Sequence, residues 1–143
     1  MASPDDRLYF LLQRAAHRLR ARADRLCKDA AGISTAQLGA LFAVRDEPGI
    51  TQQGLAGVLG LGESAVTALV ARLEAAGLVD RRPHPAEHRA VALHLTGGGA
   101  AALEAVGPTI EAFNAELRAL LGDEDFLRAS AALALLAEPG HGA

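Results

Sequence analysis

The sequence predicts a mainly α-helical chain with one small β-hairpin, an α+β class, and three observations carry that expectation. Apolar residues recur at spacings of three and four along most of its 143 residues. From Leu78 to Leu95 the period shortens to that of two strands. Between these regimes, Ile50 to Leu95 reads as two short helices, a turn and a hairpin in immediate succession. That is the outline of a winged helix-turn-helix, flanked here by long N- and C-terminal helices that form a dimerisation region.

Ser3, Pro4, Asp5 and Asp6 form a helix-start signal, and Leu8, Leu12, Ala15, Leu19 and Leu26 continue as one apolar face. The other faces carry Arg7, Arg14, Arg18, Arg20, Arg22, Arg25 and Lys28, read as a solvated surface, with phosphate contact or ligand pairing as the alternatives. Gly32 ends this helix, and Ser34 or Thr35 caps a second whose buried side is Leu38, Leu41, Phe42 and Val44. Glu47-Pro48-Gly49 turns into the third, capped by Thr51 and carrying Leu55, Val58 and Leu59. After Gly60-Leu61-Gly62, a helix from Glu63 to Ala76 sets Val66, Leu69, Val70 and Leu73 on one face. Ser64, Thr67, Ala68 and Ala71 lie on the opposite one, and Gly77 stops the helix.

Strands follow at 78–82 and 90–95, joined by a wing of residues 83–89 that Pro83 and Pro85 hold open. Thr96 caps a fifth helix, although Gly97, Gly98 and Gly99 make its first turn intrinsically poor. Leu103, Val106, Ile110, Phe113, Leu117 and Leu120 then recur as a heptad seam, with a kink expected at Gly107-Pro108. Gly122 separates a last helix, opened by Asp123 to Asp125 and lined by Phe126, Leu127, Leu133 and Leu136.

Length makes residues 1–143 a single domain, divided into a DNA-binding lobe at 35–95 and a helical dimerisation region at 1–34 and 96–143. A lone cysteine rules out an internal disulfide. With no charged-then-apolar leader and no apolar run near the 18 or so residues that span a bilayer, a cytoplasmic protein without membrane contact is expected. The net charge of −3 is unevenly spread. Residues 1–99 hold twelve Lys or Arg against ten Asp or Glu, and residues 100–143 hold two against seven. The acidic balance therefore belongs to the C-terminal helices and says little about a nucleic-acid face.

In Gln53 to Leu61 (QGLAGVLGL), Ser64 to Arg81 (SAVTALVARLEAAGLVDR) and Pro85-Ala86-Glu87-His88-Arg89 followed by Leu93-His94-Leu95-Thr96, the chain resembles the MarR-type transcription regulators. The likeness spans roughly Leu8 to Leu136. Glu87 stands where the family's wing has aspartate, and Gly54 where it often has an acidic residue. The resemblance implies a homodimer on a pseudo-palindromic double-stranded operator, acting as a repressor released by a small effector such as an aromatic carboxylate. No enzyme, cofactor or metal is expected.

For DNA contact the expected residues are Gln52 and Gln53 at the start of the third helix, and Ser64, Thr67, Ala68 and Arg72 on the fourth. Arg81, His88 and Arg89 complete the set on the wing. Arg89 is the strongest candidate, since an arginine on a hairpin can enter a narrow minor groove. Dimerisation falls to Leu8, Leu12, Val106, Ile110, Phe113, Leu117 and Leu133. The family's cleft between the first helix and the DNA-binding lobe makes His17 and Arg72 candidates for the effector.

Three other readings compete. His84-Pro85-Ala86-Glu87-His88 matches the H-x-x-E-H pattern of a zinc-peptidase class, but that chemistry needs both histidines on one helix face, and prolines flank His84. Cys27 near Arg25 and Lys28 would give a redox-responsive regulator, although peroxide-sensing relatives carry their cysteine nearer the helix start among tyrosines, and Tyr9 is the only tyrosine here. A winged-helix protein-interaction module without DNA affinity fits the same fold; Arg81, Arg82 and Arg89 speak against it.

Overall fold

The computed structural model describes residues 7–138 and residue 140, so the expected helix start at Ser3 to Asp6 lies outside the described residues. In chain order the elements are α1 (Leu8–Ala31), α2 (Thr35–Asp46), β1 (Ile50–Thr51), α3 (Gln52–Leu59), α4 (Glu63–Ala75), β2 (Val79–Pro83), β3 (Val91–Leu95), α5 (Gly97–Leu121) and α6 (Asp123–Ala137). The mainly α class with a small β element holds. The hairpin, however, is part of a three-stranded antiparallel sheet of order β1-β3-β2, with Ile50 opposite Leu93 and Thr51 opposite Ala92. The chain forms two compact units, residues 1–107 and 108–143.

The first unit owns the core. Leu41, Val44, Leu55, Val66, Val70, Leu73, Val79, Leu93 and Val106 are each fully buried. Three expected assignments change here. Val58 is 64% exposed, because α3 has only eight residues and Leu55 alone reaches the interior. Phe42 is half-buried, its ring covered by the Arg45 guanidinium 4.8 Å from the centroid. Val106, expected in the dimer seam, is a core residue of this unit.

Glycine and hydroxyl residues end the helices as anticipated. Gly32 adopts φ +69 and closes α1, and Ser34 forms a capping box with Gln37 on α2. Asp24 of α1 reinforces that start, accepting from both the amide (2.7 Å) and the hydroxyl (2.6 Å) of Thr35. The hydroxyl bond foremost, then the amide bond, holds the Asp24 carboxyl below its ordinary range, with Arg20 and Lys28 adding to the effect against some desolvation. A carboxylate whose folded pKa is depressed stabilises above its unfolded pKa, about 3.9, and loses that contribution as pH falls through the folded value. Asp24→Ala is therefore expected to cost about 1 kcal/mol at pH 7, and the gap from the native chain should narrow at pH 3. Urea unfolding at the two pH values measures it; an equal gap at both would assign the loss to packing.

The first turn of α5 is where glycine matters most. Thr96 caps it, accepting from the Gly99 amide at 3.0 Å, and its hydroxyl donates to the Gly77 carbonyl. A Cβ on Gly99 would lie 2.2 Å from the Leu78 carbonyl oxygen, and one on Gly98 2.9 Å from that of Gly77. The glycines thus let α5 start against the backbone that leaves α4. Helical structure continues through Pro108, which offers no amide to the Glu104 carbonyl.

In the second unit, Gly122 (φ +86) joins α5 to α6. Arg118 spans the joint, its guanidinium 4.7 Å from the Phe126 ring centroid and 3.5 Å from the Asp123 carboxylate. No residue of α6 is buried, and Leu120, Leu127, Leu133, Leu135 and Leu136 are exposed. No single helix among the described residues is long and apolar enough to cross a membrane.

Candidate nucleic-acid interface

The interface is built on α3 and α4, which bend by 110° at their junction, within the range of helix-turn-helix pairs. Thr51 caps α3 by accepting from the Gly54 amide at 3.0 Å. Gly60, at φ +65, ends it, and the Leu61 amide reaches back to the Ala56 carbonyl at 2.9 Å. The same device closes α4: Gly77 takes φ +72, its amide bonds Glu74, and the Leu78 amide bonds Leu73 at 2.9 Å.

Val66, Leu69, Val70 and Leu73 anchor α4 in the core, so its opposite face is left to solvent. Ser64, Thr67, Ala68, Ala71 and Arg72 are all exposed there. No side chain caps the N-terminus of α4, which leaves its first-turn amides pointing outward. Arg72 folds back, its Nε donating to the Ala68 carbonyl at 3.3 Å. Gln53 is exposed, while Gln52 is half-buried and donates its side-chain amide to the Thr67 hydroxyl at 2.8 Å. That bond between α3 and α4 has no signature in the sequence.

Pro83 proves to be the last residue of β2, opposite Val91, which moves the wing tip to residues 84–90. Proline is tolerated because β2 is an edge strand of the sheet. The tip is organised by His84, whose Nδ1 accepts from the amides of Ala86 (3.1 Å) and Glu87 (2.9 Å) while its own amide bonds Ala90. Arg89 sits at φ +73, the one non-glycine residue in the left-handed region among those described. That conformation turns the chain into β3 at the wing base.

Glu87 makes no ion pair with Arg89 among the described residues; Arg81 lies 3.9 Å from Glu74 and Arg82 3.6 Å from Asp80, both on the open surface. Arg81, Arg82, His84, His88 and Arg89 border one concavity of about 480 Å³. A second, of about 260 Å³, is lined by Gln52, Gln53, Arg81 and Arg89 and so joins the wing base to the start of α3. Every residue expected to contact DNA is thus exposed or borders these recesses.

Other expectations fare differently. His17 is exposed on α1, and neither His17 nor Arg72 lines the wing concavities, the recess of about 460 Å³ between α3 and α4, or that of about 440 Å³ at Arg7, Phe10, Leu11 and Arg14. Cys27 is 4% exposed, and burial first, then the Asp24 charge, pushes its thiol up. A sensing thiol needs the reverse on both counts, which speaks against the redox reading. His84 and His88 lie on a hairpin tip rather than a helix face, which removes the peptidase reading. Among the described residues no three His, Cys, Asp or Glu converge as metal ligands.

The MarR family model matches residues 31–90, from the end of α1 to the wing. An uncharacterized HTH-type transcriptional regulator of Mycobacterium bovis is 32% identical over 137 residues, covering 94% of this chain and 95% of that protein. A putative transcriptional regulatory protein for the hcr operon of Thauera aromatica is 28% identical over 94 residues, 66% of this chain, and the chain spans 57% of its length. Two solved structures share 29% identity. A mutant MarR of Escherichia coli complexed with operator DNA matches with a TM-score of 0.73 over 94% of this chain and 99% of that one. The PcaV regulator of Streptomyces coelicolor, in complex with its natural ligand, matches with 0.71 over 96% and 100%. Identity of this level along nearly the whole chain, on a winged helix-turn-helix with α4 and the wing exposed, makes the chain a member of the MarR family of transcription regulators, which are DNA-binding proteins and not enzymes.

Proposed function

We propose that the chain binds a pseudo-palindromic double-stranded operator as a homodimer, represses from it, and is released by a small effector. The observation that carries the reading is the placement of Arg89: exposed, in a left-handed backbone at the wing base, sharing a recess with Gln52 and Gln53. α4 enters the major groove with Ser64, Thr67 and Ala68 toward base edges, and Arg89 enters the adjoining minor groove. Arg72, Arg81 and His88 contact phosphate.

Arg89→Ala is expected to weaken binding about tenfold on every duplex and to lower the salt slope by roughly 0.9 per protomer, because each arginine displaces one condensed counterion. Fluorescence anisotropy over a salt series, on an operator selected from random duplexes, measures both. Native affinity and slope in the variant would mean that the wing does not read DNA, and would favour the protein-interaction module.

The E. coli relative's operator complex supports the partner, and the natural-ligand complex of PcaV supports an effector. We propose an aromatic carboxylate as that effector. Any releasing compound binds the DNA-incompetent state more tightly, and operator weakens its binding by the same factor. The same titrations with the compound present test this: equal effector affinity with and without operator would exclude it.

A further inference from the structure

We propose that Gln52 is a positioning residue for base recognition: by donating to Thr67 it leaves the Thr67 hydroxyl proton free to seek an acceptor on one base of each half-site. The proposal rests on the reading of α4 as the DNA-contacting helix. It assigns the base preference at that position to a pair of residues on two helices.

The argument is one of proton accounting. Gln52 Nε2 carries only protons, so the Thr67 oxygen 2.8 Å away must accept. The threonine proton is then unspent. A helical hydroxyl commonly spends it on the carbonyl four residues back, as Ser130 of α6 does on Phe126 at 2.8 Å. Thr67 makes no such bond to Glu63 among the described residues. It is exposed, at the second turn of α4, on the face the core does not use.

Accepting one hydrogen bond polarises the hydroxyl and strengthens the one it gives. The β-branched side chain, with one lone pair tied to Gln52, also has few rotamers left. Gln52 itself lines both the recess between α3 and α4 and the recess at the wing base. It braces Thr67 from the side, and need not touch the base.

In the major groove guanine offers N7 and O6, adenine N7 and thymine O4 as acceptors, whereas cytosine offers only its amino donor. The pair should therefore disfavour cytosine at the contacted position. A conservative substitution inverts the logic. Glutamate at 52 has only acceptors in its ionised form, so it draws the Thr67 proton inward and leaves lone pairs facing the groove.

The test is competition anisotropy with the full chain on the selected operator and its single-base variants, at two salt concentrations. Native protein should discriminate against cytosine at one half-site position about fivefold. Gln52→Ala and Thr67→Val should each reduce that ratio toward one without changing the salt slope, and the double variant should lose no more than either single one. Gln52→Glu should shift preference toward cytosine at the same position. Thermal melts of all variants verify folding, and the near-isosteric glutamate keeps the test valid should alanine unfold the lobe.

A uniform loss across all bases in Gln52→Ala, additive losses in the double variant, or an unchanged preference in Gln52→Glu would each overturn the proposal. If the native chain binds no duplex, the DNA-binding reading falls and takes the proposal with it. If native preference and the Arg89→Ala effect stand while Gln52→Ala keeps the native pattern, only the Gln52 assignment falls.

Discussion

Gly99→Ala should lower the stability of the chain by about 2–3 kcal/mol, a large effect for one added methyl group. The new Cβ would meet the Leu78 carbonyl oxygen at 2.2 Å and the Leu78 carbonyl carbon at 3.2 Å. Neither atom can swing aside, since the same carbonyl receives the Thr96 amide at 3.2 Å and begins the edge strand. Elsewhere in a helix alanine gains about 0.5–1 kcal/mol over glycine, which the clash here outweighs. Gly97→Ala supplies the control, because nothing lies within 4 Å of where its Cβ would be; it should be neutral or slightly stabilising. Melting at equal protein concentration should show a fall of roughly 10 °C for Gly99→Ala. A native melting temperature would mean that α5 does not begin against Leu78.

Ile110→Asp or Leu117→Asp should convert the protein to a monomer and reduce operator affinity by at least a hundredfold. Ile110, Phe113 and Leu117 are half-buried on α5, and α6 offers no buried residue at all while exposing Leu127, Leu133, Leu135 and Leu136. The homodimer we propose would cover that apolar surface with a second copy. An aspartate enclosed there without a partner costs several kcal/mol. On the pseudo-palindromic operator we propose, a split protomer would hold one half-site and lose the advantage of linked binding. Sedimentation velocity reads the state of assembly: a monomeric native chain, or a variant that stays dimeric, would sink this arrangement. Val106 provides contrast, since a charge there should unfold the lobe rather than divide a dimer.

Local patterns were legible wherever a local cause decides the structure. The buried face of α4 follows from 13 residues of unbroken periodicity, and the glycines after α1, α3 and α4 mark left-handed positions that few other residues fill. Two-residue β1 is too short to show a period, and its partner β3 lies some forty residues on. Val58 misled because a pattern read over eight residues fixes the helix face only loosely. Gly98 and Gly99 looked like helix weakeners because what they make room for is the backbone of a turn twenty residues earlier. At the candidate site, the exposure of Arg89 and of one face of α4 could be read from sequence, since wing and helix are contiguous in the chain. The bond from Gln52 to Thr67 could not, being a product of the angle between two helices.

The two bonds that tie Thr96 to Gly77 and Leu78 close the hairpin at its root, independently of what happens at its tip. A loop whose ends are pinned lengthens cheaply, at about 0.6 kcal/mol per doubling by chain entropy. Residues 84–90 are thus free to gain or lose length without loosening α4 or the start of α5. Wing length and the geometry of α4 become separable variables, and on the operator we propose the reach of the wing would change while the placement of α4 stayed the same.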